Sequence, residues 1–329
     1  IRSGVATYFK LAADGAISTP TAGASNVRLG VNAGDSIASG SNYNVLIGDE
    51  AGTALNAGDY NVAIGYQAGM ALNAGSVNTL IGALAGDAAT DADYLVAIGV
   101  SSQTNNVSSA YNTSVGGNTM LGVLTAAEGY NTTVGYNGLR DLTAGEKNTV
   151  VGGLAGDALT EGSFNAVLGA EALTVDTKGT GSIAIGRAAL ETQNFTSATT
   201  TQNVAVGNQA GLRNSTGTEN TFIGGYAGRF AGTSIGSTFI GTEAGLGNDS
   251  VRLDGDDNTA VGRDAGKLLQ GTATNNTLIG AFAGDNITTG DSNIIIGTSI
   301  DAASATADNQ LNIGGWITGV AGAINIGGP

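Results

Sequence analysis

The sequence predicts an all-β chain: a β-solenoid of left-handed β-helix or β-roll type, with coils of about 17 residues, assembled as a homotrimeric fibre. Three observations lead there. A phrase of the form Asn-apolar-x-[Ile/Val/Leu]-Gly-x-x-Ala-Gly, seen whole in NVAIGYQAG (61–69), returns almost from one end to the other. The glycine closing its first half stands at Gly30, Gly48, Gly65, Gly82, Gly99, Gly116, Gly135, Gly152, Gly169, Gly186, Gly207, Gly224, Gly241, Gly262, Gly280, Gly297 and Gly314, mostly 17 residues apart. A fixed short period describes units that stack on their neighbours. Finally, the strand half of the unit is apolar on both faces, so a coil that covers one face leaves the other to a neighbouring chain.

Residues 1–25 lack the period. VATYFKLAA within them reads as a short strand followed by an extended lead-in or attachment segment. The chain opens at Ile1, as a processed or partial product would. The repeat array occupies 26–314. In its first half, Val62 and Ile64 point one way and Ala63 the other. The residue before the glycine is always Ile, Val or Leu, as at Ile47, Ile81, Val115, Leu168 and Ile279, and is expected to line the inside of the coil. The opposite position carries Leu46, Ala63, Leu80, Ala97, Val150, Ala184, Phe222, Phe239 and Leu278, and is expected to line a trimer axis, with Arg28, Ser114, Thr133 and Asn312 as exceptions.

Asn opens thirteen of the seventeen copies, with Leu95, Ser182, Ser237 and Gln310 as substitutes. Stacked once per rung, such amides can donate and accept along the coil, and Asn tolerates the left-handed backbone of a tight corner. The glycine after the strand and the following Ala-Gly suit a second corner where a Cβ would strike the adjacent backbone. The tail of each unit reads as a second strand or arc with Leu inward, as in TALNAGDY (53–60). Length varies there, with the longest insertions at 188–201 and 245–257, which are expected to form exposed loops. Coils closed by a single chain would rise about 4.8 Å per rung, and three chains wound together would climb three times as far. Residues 315–329 end the array or start another module, with Trp316 as a cap.

Composition closes off several functions. There is no His and no Cys, so histidine-based catalysis, thiol chemistry and a disulfide framework are excluded. Fifty-five glycines without a G-X-Y period exclude collagen. A net charge of −15 disfavours nucleic acid, and no run is long enough for a membrane helix. The phrase I-G-x-x-A-G resembles one turn of the hexapeptide acyltransferases, but those enzymes rely on a catalytic His. No enzyme activity and no catalytic or cofactor-binding residue is expected. Asp254, Asp256 and Asp257 form the one candidate metal site, with calcium as its ion, because hard carboxylate oxygens suit that cation. Asp87, Asp91 and Asp93 form a weaker cluster.

NTLIGALAG (78–86), NTFIGGYAG (220–228) and NTLIGAFAG (276–284) resemble the repeat arrays of bacteriophage tail fibres and tailspikes. GSIAIGRAAL (181–190) is similar to the head repeats of trimeric autotransporter adhesins, whose units are shorter. The resemblance covers about 26–314 and implies a virion tail-fibre shaft or receptor-binding segment. Its implied partners are two further copies of the chain, other virion tail proteins and a host cell-surface glycan or protein receptor. The alternatives are an adhesin head on a bacterial surface, or a plain spacer with recognition elsewhere.

Overall fold

The computed structural model describes residues 10–11, 17–18, 23–125, 128–320 and 322–326. These residues contain strands and turns and no helix, and form a β-solenoid of about 17 turns with 17-residue coils. The chain divides into two compact units, 1–148 and 149–329. In unit 1, seven three-residue strands from Val27–Leu29 to Thr132–Val134 pair in parallel, each with the next. In unit 2, ten strands from Thr149–Val151 to Gln310–Ile313 do the same. Register is strict: Ala63 lies opposite Leu80, and Phe222 opposite Phe239. Each chain therefore closes its own coils.

The corner before the strand is held by side-chain amides. The Oδ1 of Asn61 accepts from the backbone N–H and the Nδ2 of Asn78, both at 3.0 Å, while the Nδ2 of Asn78 donates to Ala92 O at 2.8 Å. Leu95 interrupts the row, yet its N–H still donates to Asn78 Oδ1. The left-handed residue at this corner is not the Asn, as the sequence suggested, but the one before it: φ is +58° at Tyr60, +62° at Val77 and +55° at Tyr94. That placement leaves the amide free to point inward, where it is fully buried.

After the strand, Gly82 adopts φ +132°, and a Cβ there would lie 2.5 Å from Gly99 O in the next rung. Only glycine allows the backbones to meet this closely. The tails are mostly turns rather than strands, yet they too bond from rung to rung, as in Ala54 N–H to Met70 O. Leu55, Leu72, Leu142, Leu159 and Leu269 point inward as expected and are fully buried.

The two strand faces are exchanged relative to the sequence reading. Leu46, Ala63, Leu80, Ala97, Val150, Ala184, Phe222, Phe239 and Leu278 are fully buried inside their own coil and line no intermolecular axis. The residues before the glycines face outward, with Leu168, Ile223 and Ile279 exposed. The physical reason is the Asn corner. Its amide must turn in to meet the neighbouring rungs, and period two then places the residue two positions later on the same side. Ser114 and Thr133, treated above as weak points of an interface, are likewise interior. Ser114 Oγ lies 2.5 Å from Ser102 Oγ and 3.0 Å from Gln103 Nε2.

Interior volume is shared across the coil. Phe222 stands in the rung that carries Ala231, and Ala63 in the rung that carries Leu72, all fully buried. Large residues on one side meet small ones on the other, as close packing requires.

Within the lead-in, Lys10–Leu11 pairs antiparallel with Ile17–Ser18, and the rest of the expected strand lies outside the described residues. At the other end, Gln310–Ile313, Ile317–Val320 and Ala323–Ile326 continue as an antiparallel meander. Trp316 sits in its first turn at 63% exposure, so it does not cap the array.

Candidate functional surface

Each rung presents two outward residues, and their stacking makes two parallel ranks. In unit 1 the first rank runs through Val45, Val62, Thr79, Val96, Thr113 and Thr132, and the second through Ile47, Ile64, Ile81, Ile98, Val115 and Val134. Unit 2 has pairs of the same kind, such as Thr221 with Ile223 and Thr238 with Ile240. These side chains are half-buried or exposed, so both units carry a regular, β-branched, largely apolar face open to solvent. A contiguous patch of that kind is a mark of an interaction surface.

Beside this face runs the left-handed residue that precedes each Asn. In unit 1 it is Ser25, Tyr43, Tyr60, Val77, Tyr94, Tyr111, Tyr130 and Lys147. The tyrosine rings stack face to face, with centroids 4.9 Å apart for Tyr43 and Tyr60, 5.2 Å for Tyr94 and Tyr111, and 4.9 Å for Tyr111 and Tyr130. Sequence reasoning missed this row. Its signal was a tyrosine recurring one position before the Asn, at the coil period.

The two insertions are exposed mainly at their tips, 196–198 and 248–252, with Thr200, Asp254 and Asp257 exposed beyond them. Their bases enter the coil: Ala188, Leu190, Gln193, Phe195 and Leu253 are buried. The first base belongs to a buried polar cluster. Asp176 Oδ1 accepts from the N–H groups of Gly179 and Phe195 at 3.0 Å, and Asp176 Oδ2 accepts from Gln193 Nε2 at 2.6 Å.

Of the candidate calcium ligands, Asp254 Oδ1 accepts from Thr233 N–H and Oγ1 at 3.1 Å, and Asp256 Oδ1 accepts from Ile235 N–H at 2.7 Å. Asp257 occupies the left-handed corner position and is exposed. Two of the three carboxylates are thus directed at the backbone 21 residues earlier. Among the described residues no three acidic side chains come together as a metal ligand set.

In the weaker cluster, Asp93 Oδ1 accepts from Ser76 N–H at 2.6 Å, and burial is the main cause holding the Asp87 carboxyl above its ordinary pKa. A groove of about 270 Å³ in unit 2 is lined by Phe282, Asp285, Ser299 and Asp301. There burial, then a hydrogen bond with Asp301, raises the Asp285 carboxyl.

Fold and surface together define a β-solenoid protein with a two-rank apolar face along its strands. Comparison with family models, with curated proteins and with solved structures found no match.

Proposed function

We propose that this chain is a structural and adhesive fibre segment of a virion tail, a homotrimer joined through the outward strand face that holds the fibre against a host surface. The observation that carries the reading is the exposed two-rank face. A rung about 4.8 Å deep and roughly 10 Å wide offers about 50 Å², so the face of unit 1 offers on the order of 350 Å² and that of unit 2 on the order of 500 Å², each a large share of the roughly 800 Å² that one partner gives to a stable interface. Identical rungs on identical chains also match one another in spacing, so a second and third copy are natural covers. Burying the exposed third to half of each such Ile or Leu then contributes about 0.5 to 1.5 kcal/mol.

In this assembly the coils supply stiffness, and the insertion tips at 196–198 and 248–252 are each presented three times, which turns weak contacts into avidity. The resemblance of the NTLIG phrases to tail-fibre arrays points the same way.

The test has two parts. Sedimentation of the intact protein should give a trimer, and Ile223→Asp with Ile240→Asp should give folded monomers. A wild-type chain that sediments as a monomer removes the assembly. Replacing both insertion tips by short Gly-Asn turns should reduce adsorption to host cells, and unchanged adsorption would leave the segment as a spacer.

A further inference from the structure

The tyrosine row of unit 1 has one gap, and the gap has the shape of a binding site. Tyr60, Val77 and Tyr94 occupy the same corner in three successive rungs and share one backbone conformation. Their N–H groups make equivalent bonds, to Asn42 O, Asp59 O and Ser76 O. Tyr60 stacks on Tyr43, and Tyr94 on Tyr111, so the opposite faces of Tyr60 and Tyr94 look toward each other across the Val77 rung. Exposure agrees. Tyr111, stacked on both sides, is 38% exposed, whereas Tyr60 and Tyr94, each stacked on one side, are 57% and 51% exposed.

Two rungs separate those faces by about 9.6 Å, so a group lying midway is roughly 4.8 Å from each ring. That is within the range at which an aromatic face attracts a cation. The floor is the Val77 side chain, too short to fill the space and 41% exposed. Charge selects the occupant. Asp93, bonded at 2.6 Å to Ser76 N–H, brings a carboxylate to the Val77 rung, and Asp59 lies one rung away with its Oδ1 on Asn42 N–H. Elsewhere the chain places its own cations over rings, with Arg263 4.5 Å from the Phe282 centroid and Arg229 5.3 Å from that of Tyr226.

We propose that Tyr60 and Tyr94, with Val77 as floor and the Asp93 carboxylate alongside, form a slot for a quaternary or alkylated ammonium group. Two ring faces and one carboxylate suit a bulky, weakly hydrated cation better than a neutral sugar, and a compact metal ion would find too few oxygens. The slot needs only unit 1 and stands whether or not the chain trimerises.

Calorimetric titration of the full chain with choline chloride tests it, with 3,3-dimethylbutanol as the uncharged isostere and methyl glucoside as a pyranose. Choline should bind saturably and the other two should not. Val77→Tyr should close the slot and abolish binding while leaving the circular dichroism unchanged, since Tyr already occupies this left-handed position in five other rungs of unit 1. Asp93→Asn keeps an oxygen for Ser76 N–H and should weaken choline about two- to fivefold. Absence of choline binding, equal binding of the isostere or the pyranose, or undiminished binding by the Val77→Tyr protein overturns the assignment.

Discussion

Unit 1 and unit 2 share one coil and differ in what they place on it. Before each Asn, unit 1 carries five tyrosines, whereas unit 2 carries Phe164, Gln202, Glu219, Asp257, Asn275, Ser292 and Asn309, or glycine. Inside, unit 1 packs Leu46, Leu80 and alanines, whereas unit 2 stacks Phe222 on Phe239 at 5.7 Å and buries the Asp176 carboxylate. The shared parts are the glycine corner, the rung-to-rung backbone bonds and the amide row. The difference teaches which positions the coil requires and which it leaves open. Interior identity is free as long as volume and hydrogen bonding are satisfied, and the outward corner residue is freer still.

The sharpest way to break that division is at the glycine corner, where the units should respond alike. Gly82→Ala would set a Cβ 2.5 Å from Gly99 O, and Gly224→Ala one 2.4 Å from Gly241 O, each on a backbone with φ above +130°. Neither neighbour is a side chain that can move aside. Each substitution should destabilise its own unit by about 5 kcal/mol or more, read by denaturant unfolding with proteolytic mapping of the affected unit. A mild loss in either unit would mean that the rungs separate more easily than their bonding implies.

Both units bury polar side chains, but only unit 2 buries a carboxylate among the described residues, and that charge should separate them. Asp176→Leu strands the Gly179 and Phe195 N–H groups and the Gln193 amide, and should cost about 3 kcal/mol. Adding Gln193→Leu restores the apolar tail that most rungs of unit 1 use, so the double variant should be more stable than the single one. A double variant that loses the sum of both single effects would show that Asp176 and Gln193 support the coil independently and not as one cluster. The amide row should matter less per residue. Asn61→Ala removes the acceptor for two bonds from Asn78 but leaves the backbone ladder, and a loss of about 1 to 2 kcal/mol is expected in thermal unfolding.

These responses follow what could be read in the sequence. The coil period, the strand half and the glycine corner were legible because each is a backbone demand repeated in every rung. The inward face was not, because Ala63 and Ile64 are both apolar and hydrophobicity alone cannot orient a strand that is apolar on both sides. A usable clue was present in Asn61, whose amide has to be buried and which shares a side with Ala63. The constancy of the Ile/Val/Leu position suggested a core, yet true interior positions range from Ala97 to Phe222, because a coil can exchange volume across its width. The tyrosine row was hidden for another reason: a tyrosine in left-handed backbone is unexpected, and only the stacked register brings residues 17 or 19 apart into ring contact. Asp254 and Asp256 looked like a ligand cluster because a sequence does not show that the rung before them offers N–H groups to both.

The smallest expected effect decides what the tyrosine row is for. Placing an L-residue other than Asn, Asp or Gly in the left-handed region costs about 1 to 2 kcal/mol, and Asn, which unit 2 uses at Asn275 and Asn309, escapes much of that. Against it stands the stacking of exposed rings, about 0.5 to 1.5 kcal/mol per pair. Tyr43 makes one stack and Tyr111 two. At the middle of those ranges Tyr43→Asn should shift stability by about 0.5 kcal/mol, and Tyr111→Asn should lower it by about 0.5 kcal/mol, both read by urea unfolding. A row that folding required would show losses beyond about 2 kcal/mol at each position, and that result would make the row part of the coil's own support. Near-neutral values would instead mean that stacking merely offsets the backbone cost, so that five tyrosines stand at this corner of unit 1 for what they meet in solution.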